Sequence, residues 1–174
     1  PSHKVIAVFR QSSSVGAAVL DPSTDAWTST YTVTSSGDFD PCIIRLPDNT
    51  ESGGRLLCFY IRDDYTEAGA TYFTIGMSYS DDDGANWTLG ADHLSGWKIP
   101  TSSRTMTKIR GTYHQGFITL ITEGAVSSAP SIWHLLSDDV GASVEQIENI
   151  LGTFTGGAIV GRHASDVVSL EDGT

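Results

Sequence analysis

Basic residues are scarce in this chain. Ten Lys and Arg stand against 21 Asp and Glu, which gives a formal net charge of −11 at pH 7. A surface of this charge repels polyanions, so nucleic acid is not an expected partner. Long apolar runs are also missing, and none approaches the roughly 18 residues that a membrane-spanning helix requires. We therefore expect no membrane insertion.

Cysteine is almost absent. Cys42 and Cys58 are the only two, too few for a disulfide framework and not spaced as in a metal site. A cross-strand disulfide is possible if their strands pair in the register that places the two residues opposite each other. Two buried free thiols are the interpretation that we favour. We expect no metal and no cofactor.

Strand-like segments dominate the sequence, whereas long amphipathic helices are missing. The segments are rich in Val, Ile, Thr, Phe and Tyr and are bounded by Gly, Pro, Asp and Ser. They include residues 4–9, 42–46, 55–61, 72–78 and 116–122. The one helix candidate, residues 144–151, could equally be an outer strand. The sequence predicts an all-β fold.

A turn-like motif repeats along the chain. The pattern Ser-x-Asp-x-Gly-x-x-Trp at residues 80–87 recurs at residues 137–144, 57 residues later, with Val144 in place of the Trp. A shortened copy at residues 23–27 ends 60 residues before Trp87. The two full copies contain Ser80, Asp82, Gly84, Trp87, Ser137, Asp139 and Gly141. Such a period is the signature of a repeat architecture.

A second pattern repeats with a similar period. It is a short strand that ends in a polar turn. It occurs at residues 43–48, 106–111 and 167–172. A period of about sixty residues with about four strands per unit is typical of a propeller blade with modest loop insertions. We predict a single partial propeller over residues 1–174, with part of one blade in 1–34, complete blades in 35–95 and 101–152, and the start of a fourth in 157–174.

So few blades cannot close a ring, since propellers have typically about four to eight. The chain also begins at Pro1 without a Met and ends at residues 171–174, which read as the middle of a hairpin. We therefore expect further blades, either from the same longer chain or from partner subunits.

The motif at residues 80–87 resembles the Asp-box of the bacterial neuraminidase repeat, which occurs in sialidases and other propeller proteins. The resemblance implies a sialidase-like β-propeller fragment of about three four-stranded blades, with the motif in the turn between third and fourth strands. Asp82 would accept hydrogen bonds from turn amides, and Gly84 would adopt a positive φ. Asp-boxes are structural and lie at the blade periphery. A calcium loop is excluded, because Gly90 stands where the twelfth-position Glu is needed.

In sialidase-like propellers the ligand site lies near the axis, on loops that lead into first strands or follow second strands. This resemblance gives Asp38 and Asp40 as candidate catalytic residues. The candidate substrate-binding residues are Arg62, Asp63, Asp64, Arg104, Arg162 and His163. Carboxylates and guanidinium groups on one face suit acid–base chemistry on a glycoside, or binding of an anionic or hydroxyl-rich sugar. Each residue taken singly is also explained by turn capping or surface pairing.

One feature of true sialidases is missing. Their Arg-Ile-Pro segment supplies one member of an arginine triad, and the nearest match here, residues 97–100, has Lys98 instead. Exposed aromatic residues offer an alternative, since they stack on sugar rings; the candidates are Phe39, Tyr65, Trp97 and Tyr113. We expect a glycan-recognition propeller module of an extracellular or virion-surface protein, such as a tail or receptor-binding protein. An exo-acting glycoside hydrolase of sialidase-like type and an architectural propeller in a large assembly are the alternatives.

Overall fold

The computed structural model describes residues 4–27, 31–34, 38–48, 54–91, 93–94, 97–102, 104–126, 129–139 and 141–149. Within these residues the chain forms thirteen β-strands and no helix. The described part of the chain therefore contains no helix that could cross a membrane. The predicted all-β class is confirmed.

Sheet 1 comes first in the chain and has three strand positions. Strand β1 (Val5–Gln11) pairs antiparallel with β2 (Ser14–Asp21). Strands β3 (Ala26–Trp27) and β4 (Tyr31–Thr34) pair with β2 one after the other, at its two ends. Together β3 and β4 therefore form one interrupted outer strand.

Sheet 2 has four strand positions. Strands β5 (Asp38–Arg45), β6 (Leu56–Glu67) and β7 (Ala70–Ser80) pair in sequence order. The fourth position is again shared, by β8 (Thr88–Ala91) and β9 (Ile99–Pro100), which both pair with β7. This sheet continues past the predicted blade limit at residue 95. The reason is that the segment before β9 returns to the core, where Leu94, Trp97 and Ile99 are all buried.

Sheet 3 is a regular four-stranded antiparallel sheet in sequence order. Its strands are β10 (Arg104–His114), β11 (Phe117–Val126), β12 (Ala129–Ser137) and β13 (Glu145–Asn149). The segment that could have been a helix or an outer strand therefore contains the outer strand β13.

Two hydrophobic clusters join the sheets. The larger cluster fills the space between sheets 2 and 3. It includes Phe59, Leu120 and Leu135, which are fully buried. The smaller joins sheets 1 and 2 through Val15 and Tyr60. Complete burial of such a side chain stabilises the fold by roughly 1.5–3 kcal/mol. Packing of sheet faces, with sheet 2 in the middle, thus holds the three units together.

The β5–β6 register determines whether the two cysteines can form a cross-strand disulfide. Cys42 pairs with Phe59 and Ile43 with Cys58, so the register that would place the cysteines opposite each other is wrong by one residue. The cause is a bulge between Phe39 and Cys42, which adds a residue to β5. Cys42 and Cys58 belong to different core clusters and are free thiols, and burial raises the pKa of Cys42 to about 12.

The repeated motif forms two turns of the same geometry. In the first, Asp82 Oδ1 accepts hydrogen bonds from Ser80 Oγ and Asn86 N, both at 2.8 Å, while Gly84 N donates to Ser80 Oγ at 2.9 Å. Gly84 has a φ of 86°, which only glycine adopts without strain. The turn joins the third and fourth strands of sheet 2.

The second turn repeats these contacts in sheet 3. Ser137 Oγ donates to Asp139 Oδ1 at 2.8 Å, Gly141 N donates to Ser137 Oγ at 2.9 Å, and Ser143 N donates to Asp139 Oδ1 at 2.9 Å. Gly141 has a φ of 85°. Val144, which replaces the aromatic residue, is 3% exposed. Both copies are therefore structural devices that close the outer hairpin of a sheet.

We expect Asp139→Ala to lower the free energy of unfolding by about 1 kcal/mol at pH 7, because the turn loses an acceptor for several donors. Burial raises the pKa of Asp139, but hydrogen bonds from Ser143 and Ser137 outweigh it and hold the pKa below its usual value. The stabilisation is therefore present above the unfolded-state pKa near 4 and is lost as the pH falls through the lowered value. Urea unfolding at pH 7 and pH 3 measures both effects.

The matched control is Asp138→Ala, since Asp138 is exposed in the same turn. This variant should unfold like the parent at both pH values. Equal losses for the two variants, or a loss for Asp139→Ala that does not shrink at pH 3, would contradict the role given to the Asp139 carboxylate.

Candidate functional site

Strands β5, β10 and β1 lie next to each other where the three sheets meet. Strands β5 and β10 run in the same direction, because Asp40 contacts Ile109 and, further along, Ile44 lies against Gly111. Strand β1 runs the opposite way. Lys4, just before β1, lies near the end of β5, since it and Arg45 both bind Asp83. Arg10, near the end of β1, lies over the ring of Phe39 at the beginning of β5.

These three strands line a depression, which we call the axis cleft, with a volume of about 400 Å³. Its walls are formed by Val8, Phe9, Arg10, Phe39, Asp40, Pro41, Thr107 and Arg110. A second depression of about 310 Å³ shares Val8, Pro41 and Arg110 with it. The Arg110 guanidinium therefore contributes to both.

A further depression, of about 350 Å³, lies at the rim between sheet 1 and the turn at residues 80–87. Apolar atoms of Val19, Leu20 and Pro22 contribute much of its lining, and its Lys4 and Asp83 pair with each other at 3.5 Å. Because apolar atoms predominate in its lining and its one lysine is paired with Asp83, we interpret it as a packing groove between sheets.

Asp40 lies at the bulge of β5 and has a φ of 47°, a left-handed conformation that Asp tolerates better than most residues. Its Oδ2 accepts a hydrogen bond from the backbone N of Ile109 at 2.6 Å and one from Arg110 Nη1 at 3.2 Å. The side chains of Asp40 and Arg110 are 25% and 28% exposed. Asp40 therefore links sheet 2 to sheet 3 beneath the cleft.

Arg10 is the other guanidinium of the cleft. Its Nε donates to the carbonyl of Ser12 at 2.9 Å, and its Cζ lies 5.5 Å from the centroid of the partly buried Phe39 ring. Among the described residues no carboxylate lies within ion-pair distance of Arg10. Since a planar guanidinium has five N–H donors in a fixed fork, Arg10 retains donors for a ligand.

The residues after the second strand adopt a different local structure from the predicted loop. Strand β6 continues to Glu67, and the turn follows at Ala68 and Gly69. The predicted positions Arg62, Asp63 and Asp64 fall at a bulge within the β6–β7 pairing. Arg62 binds Asp64 through two nitrogens, both at 3.1 Å, and is 14% exposed, whereas Asp63 is exposed. The loop prediction is wrong because the hairpin extends beyond it.

The remaining predicted site residues are only partly placed. Asp38 begins β5 and pairs with Arg62 in the register, and Arg104 begins β10 opposite Val126. Strand pairing thus brings Asp38 and Arg62 to the same end of sheet 2 as Phe39. Arg162 and His163 lie outside the described residues, so their assignment stays a prediction.

The four aromatic candidates differ in burial and in their contacts. Trp97 is 6% exposed and meets Trp133 edge-on with 6.1 Å between ring centroids, so its prediction as an exposed sugar platform is wrong. Tyr65 stacks on His93 at 4.1 Å, and Tyr113 packs against the core. Phe39 alone among these four lines the axis cleft.

Arg10, Thr107 and Arg110 line the cleft but are not among the residues predicted from the sequence. All three lie on strands, whereas the predicted site residues were expected in loops at strand ends. The available signal was charge: Arg10 and Arg110 interrupt strand segments in a chain with only ten Lys and Arg. The mostly buried Arg110 is stabilised by its ion pair with Asp40, and the exposed Arg10 lies over the ring of Phe39.

Comparisons with known proteins place this geometry in a known fold. No family model and no curated protein matches the chain. Among solved structures, Hadza microbial sialidase Hz136 matches with a TM-score of 0.53 and 14% identity, over 78% of this chain and 31% of that one. The fold is a partial sialidase-like β-propeller. Sheets 1, 2 and 3 are its blades, and β5 and β10 are inner strands.

The likeness concerns fold alone, since the identity is low and the chain spans 31% of that sialidase. The ligand chemistry of the axis cleft must therefore be inferred from the residues that line it. Arg110 is held by Asp40, Arg10 has donors free for a ligand, and Phe39 supplies an aromatic surface. This combination can bind a molecule that carries hydroxyl or carboxylate oxygens next to an apolar face.

Proposed function

We propose that this chain is a glycan-recognition β-propeller module whose ligand binds in the axis cleft. The observation that carries the proposal is the Arg10 guanidinium over the Phe39 ring, at the mouth of the cleft and without a carboxylate partner among the described residues. Sugars present C–H faces to aromatic rings and oxygen acceptors to guanidinium groups, so both groups would contact one ligand.

The contacts of Asp40 favour binding over proton donation. Its Oδ2 accepts from two donors, one of them a backbone amide, so this oxygen already serves the junction between sheets 2 and 3. A glycosidase of the predicted kind needs a carboxyl group that delivers a proton to the glycosidic oxygen. Asp40 is better explained as a structural residue under the site.

The second candidate function is an exo-acting glycoside hydrolase of sialidase-like type. It is favoured by the similarity to a sialidase structure and by the pairing of Asp38 with Arg62 at the cleft end of sheet 2. In this alternative Asp38 or Asp40 donates the proton, and Arg62, Arg104 and Arg162 contact substrate.

The two turns at residues 80–87 and 137–144 support the interpretation of the motif as an Asp-box. Their matching hydrogen bonds and positive-φ glycines suit a repeated turn at the outer hairpin, remote from the cleft. We propose an extracellular or virion-surface location, which is supported by the acidic, lysine-poor composition and would suit the proposed glycan binding.

We expect Arg10→Ala to weaken glycan binding at least about tenfold, since a hydrogen bond to a charged group contributes about 1.5–3 kcal/mol. A glycan array identifies the ligand, and calorimetric titration of parent and variant measures the change. Arg55→Ala is the matched control, because Arg55 also lies over an aromatic ring, Tyr79, but pairs with Asp81 outside the cleft.

Arg55→Ala should bind the ligand like the parent. Failure of the parent to bind any saccharide at millimolar concentration would overturn the proposal. Equal loss of affinity in both arginine variants would place the ligand elsewhere.

A further inference from the structure

Thr107 occupies the bulge of β10 at the wall of the axis cleft. The β10–β11 register shifts between Met106 and Lys108, so Thr107 has no register partner on β11. A bulge of this kind adds a residue to one strand and redirects its side chain. Thr107 is exposed and lines the cleft. Its hydroxyl group is therefore a candidate contact for a ligand.

A buried carboxylate lies against this hydroxyl group. Glu123 on β11 is 7% exposed, and among the described residues it is the only buried residue with a charged side chain. Thr107 Oγ1 lies 3.4 Å from both the backbone carbonyl oxygen and Oε1 of Glu123. A carbonyl oxygen and an ionised carboxylate accept hydrogen bonds and cannot donate them. The Thr107 hydroxyl group is therefore the donor in this contact.

The direction of this hydrogen bond determines what Thr107 offers to the cleft. A hydroxyl group has one hydrogen and two lone pairs. Because the hydrogen points to Glu123, the lone pairs of Thr107 Oγ1 are left for a ligand. Thr107 is then an acceptor, whereas the guanidinium groups of Arg10 and Arg110 can only donate. A ligand group that suits both kinds of neighbour must accept and donate, as a hydroxyl group does and a carboxylate does not.

The charges around the cleft also favour a neutral ligand. The lining contains two guanidinium groups, Arg10 and Arg110, and the carboxylate of Asp40. Glu123, which contacts Thr107 of the lining, adds a second carboxylate. Two positive groups are thus balanced by two negative ones, while the whole chain has a net charge of −11. The field of the chain disfavours an anionic sugar, and the cleft has no surplus of positive charge to offset this repulsion.

We propose that the axis cleft selects a neutral glycan with a free hydroxyl group that donates its hydrogen to Thr107 Oγ1. Other oxygens of the same glycan accept from Arg10, and an apolar face of the sugar lies on Phe39. Glu123 is the positioning residue, because it holds the Thr107 hydroxyl group in the accepting orientation. This selectivity rests on the proposed function of the cleft, and it adds the class of sugar and the residue that recognises it.

The first test compares neutral and carboxylated sugars on the glycan array. Hexose-terminated saccharides are paired with uronic acid-terminated ones, which differ from them by a carboxylate. We expect the parent to bind neutral members of such pairs at least about tenfold more tightly than the carboxylated members. Binding of carboxylated sugars alone would overturn the selection of a neutral glycan and leave the proposed glycan binding intact. Binding of no saccharide would overturn both.

The second test removes the Thr107 hydroxyl group. Thr107→Val should bind the strongest neutral saccharide of the array about five- to tenfold more weakly, because one hydrogen bond is lost, and Thr107→Ser should bind it like the parent. The monodeoxy derivative that lacks the donating hydroxyl group should bind the parent and Thr107→Val equally. Thr105→Val is the control, since Thr105 is exposed on the same strand outside the cleft. Parental affinity of Thr107→Val, or an equal loss in Thr105→Val, would contradict the proposal.

Glu123→Gln tests the positioning role. Gln has the size of Glu but both accepts and donates, so the Thr107 hydroxyl group loses its fixed direction. We expect binding of the same saccharide to weaken about threefold, with no further loss when the change is added to Thr107→Val. A loss that persists undiminished in the Thr107→Val background would show that Glu123 acts without Thr107, and would refute its positioning role. The exposed Thr107 substitutions decide the selectivity even if Glu123→Gln does not fold.

Discussion

Replacing Gly124 with Ala should lower the free energy of unfolding by about 3 kcal/mol or more. Gly124 is buried on β11 opposite Met106, and a Cβ there would lie 1.9 Å from the carbonyl oxygen of Thr105. The Thr105 carbonyl group is part of the backbone and cannot move aside as a flexible side chain does. Strands β10 and β11 must therefore separate. Urea unfolding followed by tryptophan fluorescence measures the loss, since Trp133 lies against the same position.

The same substitution should also weaken glycan binding. The β10–β11 register shifts between Met106 and Lys108, and this bulge presents Thr107 to the axis cleft. Separation of the two strands displaces Thr107 and the following Arg110. Binding measured well below the unfolding temperature should therefore fall together with stability.

Gly69→Ala is the control substitution with which the stability loss of Gly124→Ala is compared. Gly69 has a φ of 81° in the β6–β7 turn, and an added Cβ would meet no atom within 4 Å. Its substitution costs only backbone strain, about 1 kcal/mol. If Gly124→Ala lost no more stability than Gly69→Ala, the close approach of Thr105 would be contradicted.

The sequence revealed the elements that depend on local chemistry. Ser80, Asp82 and Gly84 form contacts within a few residues of each other, so their spacing is nearly sufficient to predict the turn. The same contacts recur at Ser137 and Gly141, which made the repeat and the blade architecture visible. The strands followed from the Val, Ile and aromatic segments between such turns.

The cleft could not be predicted in this way, because it depends on contacts between distant residues. Asp40 meets Ile109, and Arg10 meets Phe39, only after three sheets have packed. Bulges added a further obstacle, since each moves the register by a residue and no pattern in the sequence marks the one at Asp40. Trp97 was misplaced for a similar reason: its burial depends on Trp133 in another sheet.

Replacing Asp40 with Ala should cost about 2 kcal/mol of stability, because the buried Ile109 amide loses its acceptor and Arg110 its counter-charge. The left-handed φ of Asp40 adds strain for Ala. Asp40→Asn should recover part of the loss, since Asn tolerates this conformation and retains one acceptor oxygen. Urea unfolding of the three proteins gives this order directly.

The Asn variant also tests whether Asp40 is the proton donor of the alternative hydrolase. With a structural Asp40, Asp40→Asn should bind glycan within about tenfold of the parent, because Arg10 and Phe39 remain in place. Unchanged stability of both variants would contradict the structural role of Asp40. If Asp40 were the proton donor, Asp40→Asn would abolish release of a chromogenic glycoside that the parent cleaves. That outcome would make the hydrolase the better explanation. Because Asp40 Oδ2 already accepts two hydrogen bonds, we expect Asp40→Asn to retain glycan binding.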